Sequence, residues 1–282
     1  FGAQSMVAPL KRVVVRRPNE VFGNADPEKW HYTSQPKMDA ALAEHDNFVS
    51  LLKSFGSEVI YHEEALPDHS DAIFTHDPVI VSKDGAILLS MGKDLRKGEE
   101  AAIGAALEKA GVPIHYRLSG DALAEGGDLL WVDDETLAVG IGFRTNGEGL
   151  RQLKEALPHV NVFPVHLPFF TGPKACLHLM SFISIVDHNV AVVYEELMPV
   201  PFWQELKKRG FKFADVPKEE FWTMGPNVLA LAPGHCVMLE GNPQTQQNLV
   251  DLGCEVVTYV GREISLKAEG GATCLTRPIL RE

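Results

Sequence analysis

Apolar and polar positions in this chain of 282 residues alternate in a pattern that returns several times. In "VIVSKDGAILLS" (79–90) two apolar runs flank Lys83-Asp84-Gly85. Asp-Gly between such runs predicts a β-hairpin. "KGEEAAIGAALEKAG" (97–111) follows, with apolar residues on one helical face and Gly111 just past the end, so it predicts a helix. "VPIHYRL" then predicts a third strand. The same order recurs as "LLWVDDETLAVGI" (129–141), "GEGLRQLKEALPH" (147–159) and "VNVFPVHL" (160–167). It recurs again as "SFISIVDHNVAVVY" (181–194), "PVPFWQELKKRG" (199–210) and "FKFADV", and once more as "NVLALAPGHCVMLEG" (227–241), "NPQTQQNLVDLG" (242–253) and "CEVVTYV".

A fifth copy is split between the chain ends. "KRVVVRRP" (11–18), the helical "PKMDAALAEHDNFVSLLKSFG" (36–56) and the strand "SEVIYH" lack a hairpin partner, which "CLTRPIL" (274–280) would supply. Val79 to Leu129 is 50 residues, Leu129 to Ser181 is 52, and Ser181 to Asn227 is 46. Five ββαβ-type units that share the last one between both termini predict an α/β ring, a five-bladed pseudosymmetric propeller. It would be one domain over 1–282, closed by pairing the N- and C-terminal strands. An open doubly wound sheet would alternate single strands with helices, and here a hairpin precedes each helix.

Polar residues stand just before the hairpins. They are His76 and Asp77 in "FTHDP", Glu125 and Asp128 in "AEGGD", His178 in "CLHLM", and Cys274 in "GGATC". Equivalent positions of successive blades face one axis, so residues about fifty apart would meet there. Taken singly, each has a structural reading: a core histidine, a small buried thiol, an acidic turn, a strand-entry turn before Pro78. Taken together they are a thiol, an imidazole and carboxylates. An imidazole stabilises a thiolate, and a carboxylate orients the imidazole, which assigns Cys274, His178 and Glu125 as a catalytic set. Asp77 is a further acid, suited to a planar guanidinium that carboxylates bind in a bidentate way. Gly270 and Gly271 would let the backbone turn into this crowded centre.

Composition narrows the partners. With 26 basic and 38 acidic side chains the net charge is −12, which argues against nucleic acid or an anionic membrane surface. No apolar run approaches the roughly 20 residues that cross a bilayer. The start lacks the order of a signal peptide, and Cys176, Cys236, Cys254 and Cys274 are too scattered for a zinc pair or a disulfide scaffold. The expectation is a cytoplasmic protein with a small cationic substrate and no metal, and a homodimer is left open.

"EGGD", the His of "HL" and the terminal "GGATCLT", in that order, resemble the guanidine-modifying pentein superfamily. That superfamily includes dimethylarginine dimethylaminohydrolases, arginine deiminases, amidinotransferases and citrulline hydrolases. The resemblance covers nearly the whole chain, from "LKRVVVRRP" to "ATCLTRP". It implies a five-fold pseudosymmetric propeller, no cofactor, and hydrolysis through a covalent S-alkylthiouronium on Cys274. His178 would be the acid–base residue, and Glu125 would pair with both His178 and the guanidinium. Asp77, Arg144, Arg96, Asp128 and His76 would bind substrate, with Arg144 of "FRTN" and Arg96 of "LRKGE" meeting its carboxylate. Deiminases follow the histidine with Leu-Asp where this chain has Leu179-Met180, which leans towards Nω-methylated arginine as substrate. His76-Asp77 departs from the Glu-Asp of dimethylargininases and is nearer the deiminase and amidinotransferase form. A citrulline or other ureido hydrolase, an arginine deiminase-type hydrolase and an amidinotransferase therefore stay as alternatives, with a non-catalytic binding protein behind them. The segment 21–36 falls where the superfamily places a lid.

Overall fold

The computed structural model describes residues 1–173 and 177–282, so Cys176 lies outside the described residues. β1 (Leu10–Val15) leads through the short helices α1 (Glu20–Gly23) and α2 (Pro27–Trp30) to α3 (Met38–Ser54) and β2 (Glu58–Tyr61). Two repeats follow: β3 (Val79–Ser82), β4 (Gly85–Leu88), α4 (Glu99–Lys109) and β5 (Ile114–Arg117), then β6 (Leu129–Asp133), β7 (Thr136–Ile141), α5 (Gly147–Ala156) and β8 (Asn161–His166). The third comprises β9 (Ile183–Asp187), β10 (Val190–Val193), α6 (Val200–Lys208) and β11 (Lys212–Asp215). After a short α7 (Lys218–Phe221), the fourth is β12 (Val228–Ala232), β13 (His235–Leu239), α8 (Pro243–Asp251) and β14 (Glu255–Tyr259), and the chain ends on β15 (Arg277–Arg281).

These strands make five three-stranded sheets, ordered β3-β4-β5, β6-β7-β8, β9-β10-β11, β12-β13-β14 and β15-β1-β2. In each, an antiparallel pair is joined to a third strand that runs parallel to the middle one, for example β3 with β4 and β4 with β5. A hairpin makes the first pairing, and a helical crossover is what a parallel pairing requires. The fifth sheet repeats this with chain ends, β1 running antiparallel to β15 and parallel to β2. The five-bladed propeller predicted from the repeat is therefore the fold.

Burial follows the apolar pattern. The middle strands β4 and β10 are buried along their length, whereas the outer strands β5 and β14 expose alternate or successive residues. Continuous apolar runs suit strands covered on both faces. Closure is held by packing and by hydrogen bonds. Ile279 of β15 is fully buried with Val14 of β1 and Val79 and Val81 of β3. Arg281 reaches across the seam, donating to the carbonyls of Ala8 at 2.7 Å and Ala230 at 2.9 Å. The closing strand begins three residues later than the apolar pattern suggests. Leu275 N–H bonds the Gly271 carbonyl at 3.1 Å and Thr276 N–H the Thr273 carbonyl at 3.1 Å, so a turn holds Cys274 before the ladder starts. Among the described residues no helix is long and apolar enough to cross a membrane.

If β15 closes the ring through its buried face, Ile279→Ala should cost about 2–5 kcal/mol in chemical unfolding. Val257→Ala on the outer strand β14, where Val257 is 38% exposed, should cost less than about 1 kcal/mol.

Candidate active site

The loops that lead from one blade into the inner strand of the next all open at the same end of the ring, and each is tied to its neighbour. Asp77 accepts from Gly126 N–H through its carbonyl at 2.8 Å and from Gly127 N–H through Oδ1 at 3.0 Å. Asp128 Oδ1 accepts from Leu179 N–H at 2.9 Å. Ser184 Oγ donates to the Pro226 carbonyl at 2.7 Å and accepts from Val228 N–H at 3.2 Å. Asn227 Oδ1 accepts from Thr273 N–H at 3.0 Å, and the Cys274 carbonyl accepts from His76 N–H at 3.2 Å. These links close a circle of hydrogen bonds around the axis. Above it lies a cavity of about 400 Å³ lined by His76, Asp77, Arg96, Arg144, His178, Asn227 and Cys274 among others.

Glu125 is fully buried beside this cavity. Its Oε1 accepts from Gly92 N–H at 2.9 Å, Lys93 N–H at 3.0 Å and Arg144 Nε at 2.9 Å. Its Oε2 meets His178 Nε2 at 2.7 Å. A carboxylate only accepts, so this contact places a proton on His178 Nε2. Burial pushes the Glu125 carboxyl upward, but Arg144 and His178 outweigh it and hold the acid well below the usual carboxylate range. Asp77 behaves alike: burial raises it, Arg96 and His178 lower it further, and the net direction is down. Two carboxylates at the axis are thus kept anionic. The Cys274 thiol is partly buried, and Asn227 Nδ2 donates to its Sγ at 3.3 Å.

Two residues expected to bind substrate are held by protein partners. Asp128 is not part of the cavity lining; it is fully buried, with Oδ2 taken by the Thr145 hydroxyl at 2.6 Å and Oδ1 by Leu179. It braces the turn after His178, and burial pushes its pKa up to about 6. Arg96 lines the cavity but spends its donors on protein. Nη1 meets Asp77 Oδ2 at 2.5 Å, Nη2 meets Glu99 Oε2 at 2.7 Å and the Phe74 carbonyl at 2.9 Å, and Nε meets Glu99 Oε1 at 3.0 Å. It acts as the counter-ion that orients Asp77, while burial raises its partner Glu99 to about 7. His76 does line the cavity. Its Nδ1 donates to the Thr276 carbonyl at 3.0 Å, and burial, with Arg277 beside it, lowers its pKa to about 3, so it stays neutral.

The segment 21–36, expected to form a lid, reaches the cavity. Trp30 and His31 face it, and Tyr32 Oη donates to Asp71 Oδ1 at 2.8 Å. Lys93 Nζ bridges Asp71 Oδ2 at 2.6 Å and the Trp30 carbonyl at 3.1 Å. Sequence reasoning missed Asn227, Glu99, Lys93 and Asp71. Asn227 was within reach, because it stands before β12 as Asp128 stands before β6. The glycines before Cys274 serve close approach and not left-handed backbone: a Cβ at Gly271 would sit 2.5 Å from Asn227 Oδ1.

A Cβ at Gly127 would sit 2.4 Å from His178 Nδ1, closer than the ring allows. Gly127→Ala should therefore displace the imidazole from Glu125 and lower kcat/KM at least about 100-fold with secondary structure retained by circular dichroism.

The family model described as N,N dimethylarginine dimethylhydrolase, eukaryotic, matches residues 18–281. An uncharacterised protein of Bacillus subtilis is 32% identical over 246 residues, covering 86% of this chain and 82% of that one. The dimethylarginine dimethylaminohydrolase of Streptomyces coelicolor is 30% identical over 270 residues, 95% of this chain and 96% of its own. The fold also matches a solved dimethylarginine dimethylaminohydrolase of Pseudomonas aeruginosa, a cysteine-to-serine mutant complexed with citrulline. The TM-score is 0.79 at 23% identity, over 95% of this chain and 99% of that one.

Proposed function

The chain belongs to the N,N-dimethylarginine dimethylhydrolase family, whose members hydrolyse guanidino compounds, and from that premise we propose that it cleaves Nω-methylated arginine to citrulline and a methylamine. The observation that carries the reading is the His178–Glu125 pair at 2.7 Å in the wall of the cavity that holds Cys274 and the anionic Asp77. A guanidinium entering there meets carboxylates on more than one side, and its charge favours the thiolate of Cys274. In this reading residues 1–282 act as one catalytic domain.

In this reading the Cys274 sulfur adds to the guanidinium carbon. The carbon–nitrogen bond to the methylated amine then breaks, and His178 gives that amine a proton. The product of the first half is an S-alkylthiouronium on Cys274. Water, deprotonated by His178, adds to the same carbon, the carbon–sulfur bond breaks, and citrulline leaves with the thiolate restored. Asp77, oriented by Arg96, pairs with the guanidinium, and Arg144 is the cation proposed to meet the substrate carboxylate. Met180, two residues after His178, supports a methylated over an unsubstituted nitrogen, because its side chain offers no acid to a second N–H.

Purified protein should release citrulline and dimethylamine from dimethylarginine faster than it turns over arginine, citrulline or agmatine. Cys274→Ala should lower kcat about 10³-fold or more. Ammonia from arginine as the preferred reaction would overturn the substrate, and an active Cys274→Ala would overturn the mechanism.

A further inference from the structure

The cavity has two kinds of wall. Charged side chains face it from the first three units, among them Asp71, Lys93 and Arg144. Trp30 and Phe74 stand among them, and the loops before β9 and β12 bring a larger apolar group: Phe170 and Met180 from one, and Phe221, Trp222 and Met224 from the other. These are the two loops that carry His178 and Asn227. Their aromatic rings join them. Phe170 stacks on Trp222 with centroids 5.7 Å apart and planes at 26°, and Phe221 meets Trp222 edge-on at 5.1 Å. Tyr194 backs Phe221 at 4.4 Å.

Two further features mark this wall. Trp222 is 61% exposed although it packs on the buried Phe221, so its ring retains a wet apolar face. Among the described residues, the non-glycine positions with left-handed backbone are His31, Phe170, Met224 and Glu269, and all four line this cavity. Such backbone is strained for any residue with a Cβ, and strain of this kind collects where side chains are held for function. Phe170, at φ +51°, and Met224, at φ +67°, are the two that belong to the apolar wall.

His178 protonates the nitrogen that departs, so whatever that nitrogen carries lies against the loop of His178 and the neighbouring loop of Asn227. Resting on the guanidine-hydrolase reading above, we propose that the wall of Phe170, Phe221 and Trp222 selects guanidines whose leaving nitrogen bears an alkyl or aryl group larger than methyl. The substrate class is Nω-substituted arginine. The bonds made and broken are those of the methylated case: sulfur to carbon forms, carbon to the substituted nitrogen breaks, and the amine leaves with the proton from His178. Stacked aromatic faces bury such a group without asking it for a hydrogen bond.

The test measures citrulline release from arginine, Nω,Nω-dimethylarginine, Nω-propylarginine and Nω-benzylarginine. For the parent, kcat/KM for the propyl or benzyl compound should exceed that for arginine roughly tenfold or more, and should be at least that for the dimethyl compound. Trp222→Ala and Phe170→Ala should each lower the propyl-to-arginine ratio roughly tenfold, and Trp222→Phe should restore most of it. A parent that rejects both larger substrates while hydrolysing dimethylarginine overturns this inference and leaves the proposed function standing. So does an unchanged ratio in Phe170→Ala, which decides the matter even if Trp222→Ala fails to fold. A parent that releases citrulline from none of the four overturns the guanidine-hydrolase reading itself.

Discussion

Everything at the axis depends on one buried carboxylate. Glu125 has no exposed surface, and such a group stays charged only if its partners replace water. Two backbone N–H groups, the Arg144 guanidinium and the His178 imidazole do so. In return each partner is fixed: the 92–93 turn, the Arg144 side chain and the ring that would handle protons. The geometry is mutual, and it draws on three different units of the repeat. A propeller is well suited to this, because five loops arrive at one place on rigid sheets, each loop hydrogen-bonded to the next.

The charges around Glu125 are arranged in linked pairs. Arg96 is shared by Asp77 and Glu99, Lys93 is held by Asp71, and Arg144 by Glu125. Removing one partner of a buried pair leaves the other uncompensated, which costs several kcal/mol even where the intact pair contributes little. The network is therefore better read as a positioning device than as a source of stability. It keeps Asp77 and Glu125 anionic where a cation would enter. Asp128 shows the contrast. It lies in the same turn as Glu125 but is braced by a hydroxyl and one N–H, without a guanidinium, and burial moves its pKa upward.

The ring was legible in the chain because its signal is periodic. Four hairpin–helix–strand units can be read directly, and the split fifth follows from the unpaired "KRVVVRRP" and "CLTRPIL". The site was legible only by residue type. Sequence places Asp77, Glu125, His178 and Cys274 before inner strands, and the structure brings them together. Type alone does not say which way a side chain points or what has already claimed it. Asp128, three residues after Glu125, turns beneath His178, and Arg96 is taken by Glu99 from the next helical turn. Asn227 was passed over because an amide carries no charge to draw attention, although its position in the repeat matched. The start of β15 was misplaced for a related reason: Thr273 and Thr276 suit a strand, yet the turn 271–276 takes their backbone first.

The most direct test of the account is to catch the reaction on Cys274. Protein turning over dimethylarginine would be quenched in acid, digested, and its peptides weighed by mass spectrometry. An adduct of dimethylarginine less dimethylamine, the amidine carbon still bonded to its ornithine chain, on the peptide that carries Cys274, formed within the first turnover and absent from Cys274→Ala, is the predicted result. Steady citrulline release with the Cys274 peptide unmodified at every quench time would contradict it.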